Sequence, residues 1–471
     1  MILPGPDSHN QQGEGRGIRM AFTMEGVVAL APDDASAKAA KGLVSPAKWP
    51  LLGADDKAVW GECQGSGSKP YQTQVDLNGP AFRCSCPSRK FPCKHGLALL
   101  MIQAQNPQLF QATPPPAWVS EWLGSRADKA QQKEVRQAEK AAAPVDEQAQ
   151  AKREAQRWQR METAAQELQR WLCDQVSRGL GSLNAEVLQT WQTMAARMVD
   201  AQAPGLGVRI REAAAGIRDG EDWPERTLAR LGLMQLACEA LQRRASLPPA
   251  LQAELRAMLG WPHDKAEVLE HGERVDDHWT VLGVVAQDRD DKLTERRVWL
   301  HGARSQRRAL LWDHAFGGRG FEQSFFAGTG VSATLAFFPG TAGLRAQVVD
   351  QAGPPAAPQW PDAGTAHEWD GVARRIAASP WVFGHPVVMH HAVPLLRDGQ
   401  PYLHADGHLL PLAVGDADLW TLLAATGGHA VHLACEWDGS SLVPMTAWES
   451  APPQHQAEAP APSPLWQRSA A

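Results

Sequence analysis

Between Arg83 and Gly96 the chain reads RCSCPSRKFPCKHG, which places three of its seven cysteines and one histidine within fourteen residues. The four side chains follow the spacing C-x-C-x6-C-x-H, as Cys84, Cys86, Cys93 and His95. In an extended strand, residues two apart face the same way, so Cys84 and Cys86 aim both thiolates to one side. Pro87 then turns the chain out of the strand, and PSRKFP carries it round to Cys93 and His95. In a regular helix, residues two apart do not face each other. Cys93 is therefore expected just ahead of a helix and His95 in its first turn. Three thiolates and an imidazole make a closed tetrahedral zinc site, with no position left for water or substrate.

Charge favours ligation over chance. Zn(II) with three thiolates and one neutral imidazole carries a net negative charge. Arg83, Arg89, Lys90 and Lys94 lie in the window with no acid, and they favour deprotonated cysteines. A Cys84–Cys86 disulfide would be strained. Cys63 is close in sequence but outside the pattern, and reads as a buried thiol.

The flanking sequence gives the site its elements. AVWGEC and YQTQVDL read as strands joined by the QGSGSKP turn, and AFRC reads as a short third strand. KHGLALLMIQAQNP reads as a helix with Leu97, Leu100, Met101 and Ala104 on one face, ended by Asn-Pro. The turn QGSGSKP lacks the G-x4-G-K-[ST] phosphate-loop pattern and lies between two strands.

The spacing resembles that of the SWIM zinc finger, in which strands precede the first ligand pair and a helix follows the last. The likeness extends beyond the ligands. ALAPDDASAKAAKG at 29–42, VWGECQGSGSKPYQ at 59–72, CSCPSRKFPCKHGLALL at 84–100 and PAWVSEWL at 116–123 are similar to bacterial SWIM zinc finger proteins. All four ligand positions match in type and spacing. The resemblance covers about 24–125. It implies a module that binds DNA or a protein partner, and it implies association with a MoxR-type AAA+ ATPase and a von Willebrand A-domain protein.

Outside this module the chain changes character twice. The expected class is α+β and multidomain: a strand-strand-strand-helix zinc finger, a helical middle domain and a strand-rich C-terminal domain. The expected divisions are a polar, disordered N-terminus at 1–23, the finger at 24–125, a charged helical linker at 126–156, a helical domain at 157–262, a β-rich α+β domain at 270–450 and a disordered tail at 451–471. Met20 or Met24 could equally be the start. In the middle domain, Trp158, Met161, Ala165, Leu168, Trp171 and Leu172 keep a buried stripe's spacing. Leu188, Trp191, Ala195 and Met198 repeat it, and Leu228, Leu231, Met234, Leu236 and Leu241 continue it. The later strands are read from WTVLGVVAQD, RRVWLHGA, ALLWDHAFG, SATLAFFPG, LRAQVVDQ and AVHLACEWDG. The nineteen tryptophans read as core anchors.

Two features bear on partners. Between residues 36 and 95 there are nine basic and four acidic residues, in a chain of net charge −6. Lys69, Arg83, Arg89, Lys90 and Lys94 are the candidate contact residues. Such a patch, with Tyr71, Phe82 and Phe91 to stack on bases, would suit nucleic acid. The same bases could instead screen the thiolates and meet a protein partner, with the phenylalanines in the small core. The adaptor reading is taken first, and non-sequence-specific DNA or RNA binding is the alternative.

The remaining motifs are sparse. His385, His390, His391, His404, His408, His429 and His432 concentrate late; HH and H-x3-H could hold a second metal, but no acidic or cysteine ligands sit at consistent spacing, and the histidines read first as packed or surface residues. DRDDKLTE at 288–295 lacks the glycine and length of a calcium loop, and reads as a charged hairpin turn. No nucleophile elbow, dinucleotide fingerprint or metalloprotease helix is present, so a non-enzymatic role is expected, with an active site assembled in the C-terminal region as the remote alternative. Isolated cysteines in odd number imply a reducing compartment, and a cytoplasmic protein is expected. The longest apolar runs are too short to cross a bilayer, so no membrane partner is expected.

Overall fold

The computed structural model describes residues 24–468 except 32–33, 66, 68, 78–80, 89, 91, 112, 127, 129–146, 219, 291–292, 317–320, 322, 383 and 450–462. The expected disordered N-terminus at 1–23, most of the expected linker and most of the expected tail lie outside the described residues. The chain divides into two compact units, Met1–Glu121 and Trp122–Ala471.

In the first unit, helices α1 (Met24–Ala29) and α2 (Asp34–Lys41) precede an antiparallel sheet, which α3 (Lys94–Gln105) follows. The sheet runs β1 (Leu51–Ala54), β2 (Ala58–Cys63), β3 (Tyr71–Asp76), β4 (Ala81–Cys84), in chain order. Strand β1 was not expected: LLGA is short, follows a proline and contains Gly53. That glycine is required there, because a Cβ on it would lie 2.4 Å from Nε1 of Trp60, which is wholly buried. Asp55 closes the β1–β2 hairpin by accepting from the N–H groups of Lys57 and Ala58 at 2.8 and 2.7 Å. Every residue of α3 from His95 to Ile102 is buried, not a single face. The helix packs on β2, β3 and β4 with one side, while α1 and α2 cover the other.

The second unit begins with helices α4 (Glu147–Arg178), α5 (Ala185–Asp200), α6 (Pro204–Ala215), α7 (Trp223–Gln242), α8 (Pro249–Met258) and α9 (Lys265–His271). Helix α4 thus starts inside the segment expected as linker. Met161, Ala165, Leu168, Leu172, Trp191, Ala195 and Met198 lie in the shared core, with Trp158, Trp171 and Leu188 packed partly buried against it. Asn184 caps α5 by accepting from the Val187 N–H at 2.9 Å. On α7 the expectation needs correction: Leu231, Met234 and Leu241 are buried, but Leu228 and Leu236 are 49% and 42% exposed. Helix α7 is apolar nearly all round, so apolar spacing alone does not choose its inner face.

A closed barrel follows, built from β5 (Glu273–Asp290), β6 (Leu293–Gly302), β7 (Arg308–Phe316), β8 (Gly330–Phe337) and β9 (Arg345–Ala356). The order is β5-β6-β7-β9-β8, and β5 closes on β8. All pairs are antiparallel except β7 with β9. The long first strand serves both edges, pairing β8 through its first half and β6 through its second, with a register shift between Val281 and Gly283. Counted within the barrel this is the order 1-2-3-5-4, the topology of an OB-type Greek-key barrel. Trp279, Val281, Val298, Leu300, Leu311 and Leu335 fill its interior. The DRDDKLTE segment spans the β5–β6 connection, with Asp290 opposite Leu293.

The last part is an antiparallel six-stranded sheet ordered β12-β11-β10-β13-β14-β15. Its strands are β10 (His385–Arg397), β11 (Gln400–Ala405), β12 (His408–Pro411), β13 (Val431–Trp437), β14 (Leu442–Trp448) and β15 (Pro464–Gln467). Helices α10 (Thr365–Ala378) and α11 (Asp416–Thr426) pack on it. Only β13 was read from sequence. Pro386 and Pro394 in β10 and Pro444 in β14 argue against strands locally, and the β13–β14 ladder shifts register between Ala434 and Cys435, next to the Pro444 pairing. Strand β15 lies within the expected tail, paired to β14. The outer face of β5 and β6 packs on this sheet, so closely at Gly283 that a Cβ there would lie 2.3 Å from Met445 Cβ.

Candidate metal centre

The ligand-bearing segment is short because its geometry is set at both ends by regular structure. Strand β4 ends at Cys84, which sits opposite Thr73 on β3. One further backbone bond, Ser85 N–H to Gln72 C=O at 2.9 Å, keeps the chain extended into the bend that presents Cys86. At the other end Cys93 is the residue ahead of α3, with extended φ −74° and ψ 161°, and His95 occupies the first helical turn. Close packing holds helix to strand there: a Cβ on Gly96 would lie 2.8 Å from Phe82 Cδ1.

The donor atoms of Cys84, Cys86, Cys93 and His95 all lie within 4.8 Å of one another. Cys84 Sγ and His95 Nδ1 are 3.7 Å apart. A tetrahedral zinc with Zn–S of about 2.3 Å and Zn–N of about 2.0 Å requires a sulfur–nitrogen edge of about 3.6 Å. The donor set and its spacing fit Zn(II) as a closed, structural ion. Cys93 and His95 are buried, and Cys84 and Cys86 are half-buried. Among the described residues no other group of three or more His, Cys, Asp and Glu gathers its donor atoms in this way.

The electrostatics distinguish the thiols. Cys93 is held down to about 4 by its hydrogen bond with Cys84, with further help from His95 and the backbone N–H groups of Gly96 and His95. Cys84 is pushed up by sharing that same proton with Cys93 and by burial. Burial raises Cys86. Cys93 is the thiol that ionises first, chiefly through the hydrogen bond with Cys84, with the N–H groups at the start of α3 adding to it. Cys63 is fully buried on β2 and burial raises it too; it is not among the clustered donors.

Two neighbours were not singled out as ligand supports from sequence. The Thr73 hydroxyl lies 3.2 Å from Cys84 Sγ, and the Tyr71 ring packs on His95 with centroids 4.9 Å apart. Their signal was their alternation on β3 once β4 is paired to it. Of the candidate contact residues, Lys69, Arg83, Lys90 and Lys94 are exposed around the centre, and Arg89 lies outside the described residues. Phe82 is buried, and Phe91 lies outside the described residues.

The late histidines are largely dispersed. His404, His408 and His429 are exposed, whereas His390 and His391 each place a ring within 5 Å of His432, at 4.8 and 4.9 Å between centroids. His391 reaches this position at a bulge, with φ +49°.

Residues 71–102 match the SWIM zinc finger, and residues 156–259 match the SWIM-associated four-helix bundle domain. No curated protein matches the chain, and no solved structure does. The chain thus carries a SWIM-type zinc finger, followed by the helical bundle domain associated with such fingers.

Proposed function

We propose that this protein is a zinc-stapled adaptor, with Cys84, Cys86, Cys93 and His95 as the ligands and the basic rim of the finger as its protein-partner surface. Lys69, Arg83, Lys90 and Lys94 make that rim, and it suits an acidic partner. The observation that carries the reading is the inward placement of the finger's rings. Phe82 is buried against Gly96 and Tyr71 packs on His95, so both rings are engaged inside the finger. Proteins that bind single strands without sequence preference combine phosphate contacts with exposed stacking rings. The resemblance to bacterial SWIM proteins supplies the class of partner, a MoxR-type AAA+ ATPase with a von Willebrand A-domain protein, in the cytoplasm. Among the described residues no helix is long and apolar enough to cross a membrane.

The test is recovery of partners on the intact protein from its native cells, with and without nuclease. A partner that survives nuclease and is lost with Arg83→Glu and Lys94→Glu supports the adaptor. Partners that vanish with nuclease favour the second reading, in which the net-positive finger region binds phosphate backbones.

A further inference from the structure

The barrel carries a feature that the finger reading does not use. Along β7 the residues alternate: Ala309 and Leu311 point into the barrel core, while Trp312, His314 and Phe316 stand on the outer face. The upper part of that outer face is covered. Arg308 meets Glu368, and Leu310 packs with Trp299 and Trp448 against the C-terminal sheet. Beyond Leu310 the covering thins: Trp312 is half-buried, and the next two outward residues are exposed. The His314 side chain is 46% exposed, and Phe316, at 64%, is the most exposed large hydrophobic residue among those described.

These rings form a ladder. Trp312 and His314 lie 6.2 Å apart between centroids at an interplanar angle of 26°. That spacing is wider than the rise of about 3.4 Å per base in a duplex strand, so the ladder suits bases that have been separated from one another. Two polar features lie beside the ladder. The indole N–H of Trp312 is buried without a hydrogen-bond partner among the described residues. The Arg345 guanidinium, from the neighbouring strand β9, packs 5.4 Å from the Trp312 ring and 4.4 Å from Phe338. Asp313, the acid whose field reaches Arg345, is bound to Arg296 at 2.7 Å. Glu295, across the ladder from His314, is held by Arg297 at 2.6 Å and lies 3.8 Å from His314 Nε2, an ion pair only when His314 is protonated, so the neutral form of His314 is the one that stacks. The cation beside the rings is thus left to an incoming anion.

We propose that Trp312, His314, Phe316 and Arg345 form a binding face for single-stranded nucleic acid on the third and fifth strands of the OB-type barrel. Bases stack on the ladder, and Arg345 takes a phosphate. The place of the face in the barrel agrees with this: in OB barrels the second and third strands carry the ligand. Here the C-terminal sheet occupies the second strand's outer face through Arg297, Trp299 and Glu436, which leaves the outer part of the third. The site is independent of the finger, and the two readings fail separately.

The experiment is a fluorescence-anisotropy titration of the full zinc-loaded chain with labelled 15-mers of dT and rU, the matching duplex, and a chito-oligosaccharide. Single strands are expected to bind, and more tightly than the duplex. Phe316→Ala should weaken the single strand about tenfold, given the strength of one base–aromatic stack, and Phe316→Trp should restore it. Because Phe316 is exposed, these variants leave the barrel folded, whereas Trp312→Ala alone could unfold it. No binding of either single strand overturns the proposal. So does binding that ignores Phe316→Ala and His314→Ala but is lost with Arg83→Glu and Lys94→Glu, or binding of the oligosaccharide alone.

Discussion

The Thr73 hydroxyl and the Cys84 sulfur lie 3.2 Å apart, on residues directly opposite each other in β3 and β4. Thr73 is wholly buried, and this contact fixes both the rotamer of the first ligand and the charge that it can hold. A hydroxyl donating to a thiolate offsets part of the negative charge of a Cys3His zinc. Thr73→Val keeps the shape and removes the donor. Zinc affinity is expected to fall about tenfold, as for other groups that orient a metal ligand, while Thr73→Ser holds it. Competition with a chromogenic chelator measures the difference, and equal affinity for all three proteins would deny Thr73 this role.

Zinc should fold the region that it staples and little else. The four donors join the end of β4 to the start of α3, and the sheet below them has only four short strands. Structural zinc supplies about 10–16 kcal/mol in small fingers. Removing it with chelator, or replacing Cys93 with Ser, should expose residues 57–105 to rapid amide exchange. The second unit, with its own cores in the helices, barrel and sheet, should exchange as before. Hydrogen exchange read by mass spectrometry resolves the two units. Full protection of 57–105 without metal would sink the structural role.

What the sequence made legible follows how local each constraint is. Cys84, Cys86, Cys93 and His95 could be read directly, because a metal's coordination geometry acts over twelve residues and leaves a fixed spacing. Helices α4 and α5 were legible in the stripes through Leu168 and Trp191. Leu228 and Leu236 were misplaced because α7 carries apolar residues on every side, and only the packing of its neighbours selects a face. The barrel's order was not legible at all. Its one parallel pairing, Leu310 with Arg345, joins residues that no local pattern connects. Strand β10 was hidden for a different reason: its prolines argue against a strand, and neighbours on both sides override them.

One carboxylate makes a polar link between barrel and C-terminal sheet, beside their apolar packing. Glu436 accepts two hydrogen bonds from Arg297, each 3.0 Å, and one from the Trp299 indole at 2.5 Å. Arg297 also holds Glu295. All of these groups are largely buried, so removing one partner leaves a charge and an N–H without an acceptor. Glu436→Ala is expected to destabilise the second unit by about 3–5 kcal/mol. Replacing both Glu436 and Arg297 with apolar residues of similar volume should cost less, although Glu295 then loses its partner. Urea denaturation of the single and double variants gives the comparison. A double variant worse than Glu436→Ala would mean that the pair contributes attraction beyond cancelling its own burial.

Acid should loosen the second unit before it touches most carboxylates. Burial, with a push from Arg308, lowers His301 to about 3. Burial and Arg375 lower His385 to about 4, and burial with the neighbouring His390 and His391 lowers His432 to about 4. In the unfolded chain each titrates near 6.5. The folded state therefore binds fewer protons than the unfolded one in this range, and stability rises with pH. The contribution is fully present above about pH 6.5 and is lost progressively as pH falls toward 4. The melting temperature of the second unit should fall across that window. His385→Gln should flatten the fall, because a neutral side chain of similar size has no proton to take up. Differential scanning calorimetry of the wild type and the variant between pH 7 and 4 is the measurement. Parallel curves would show that His385 is not protonated on unfolding.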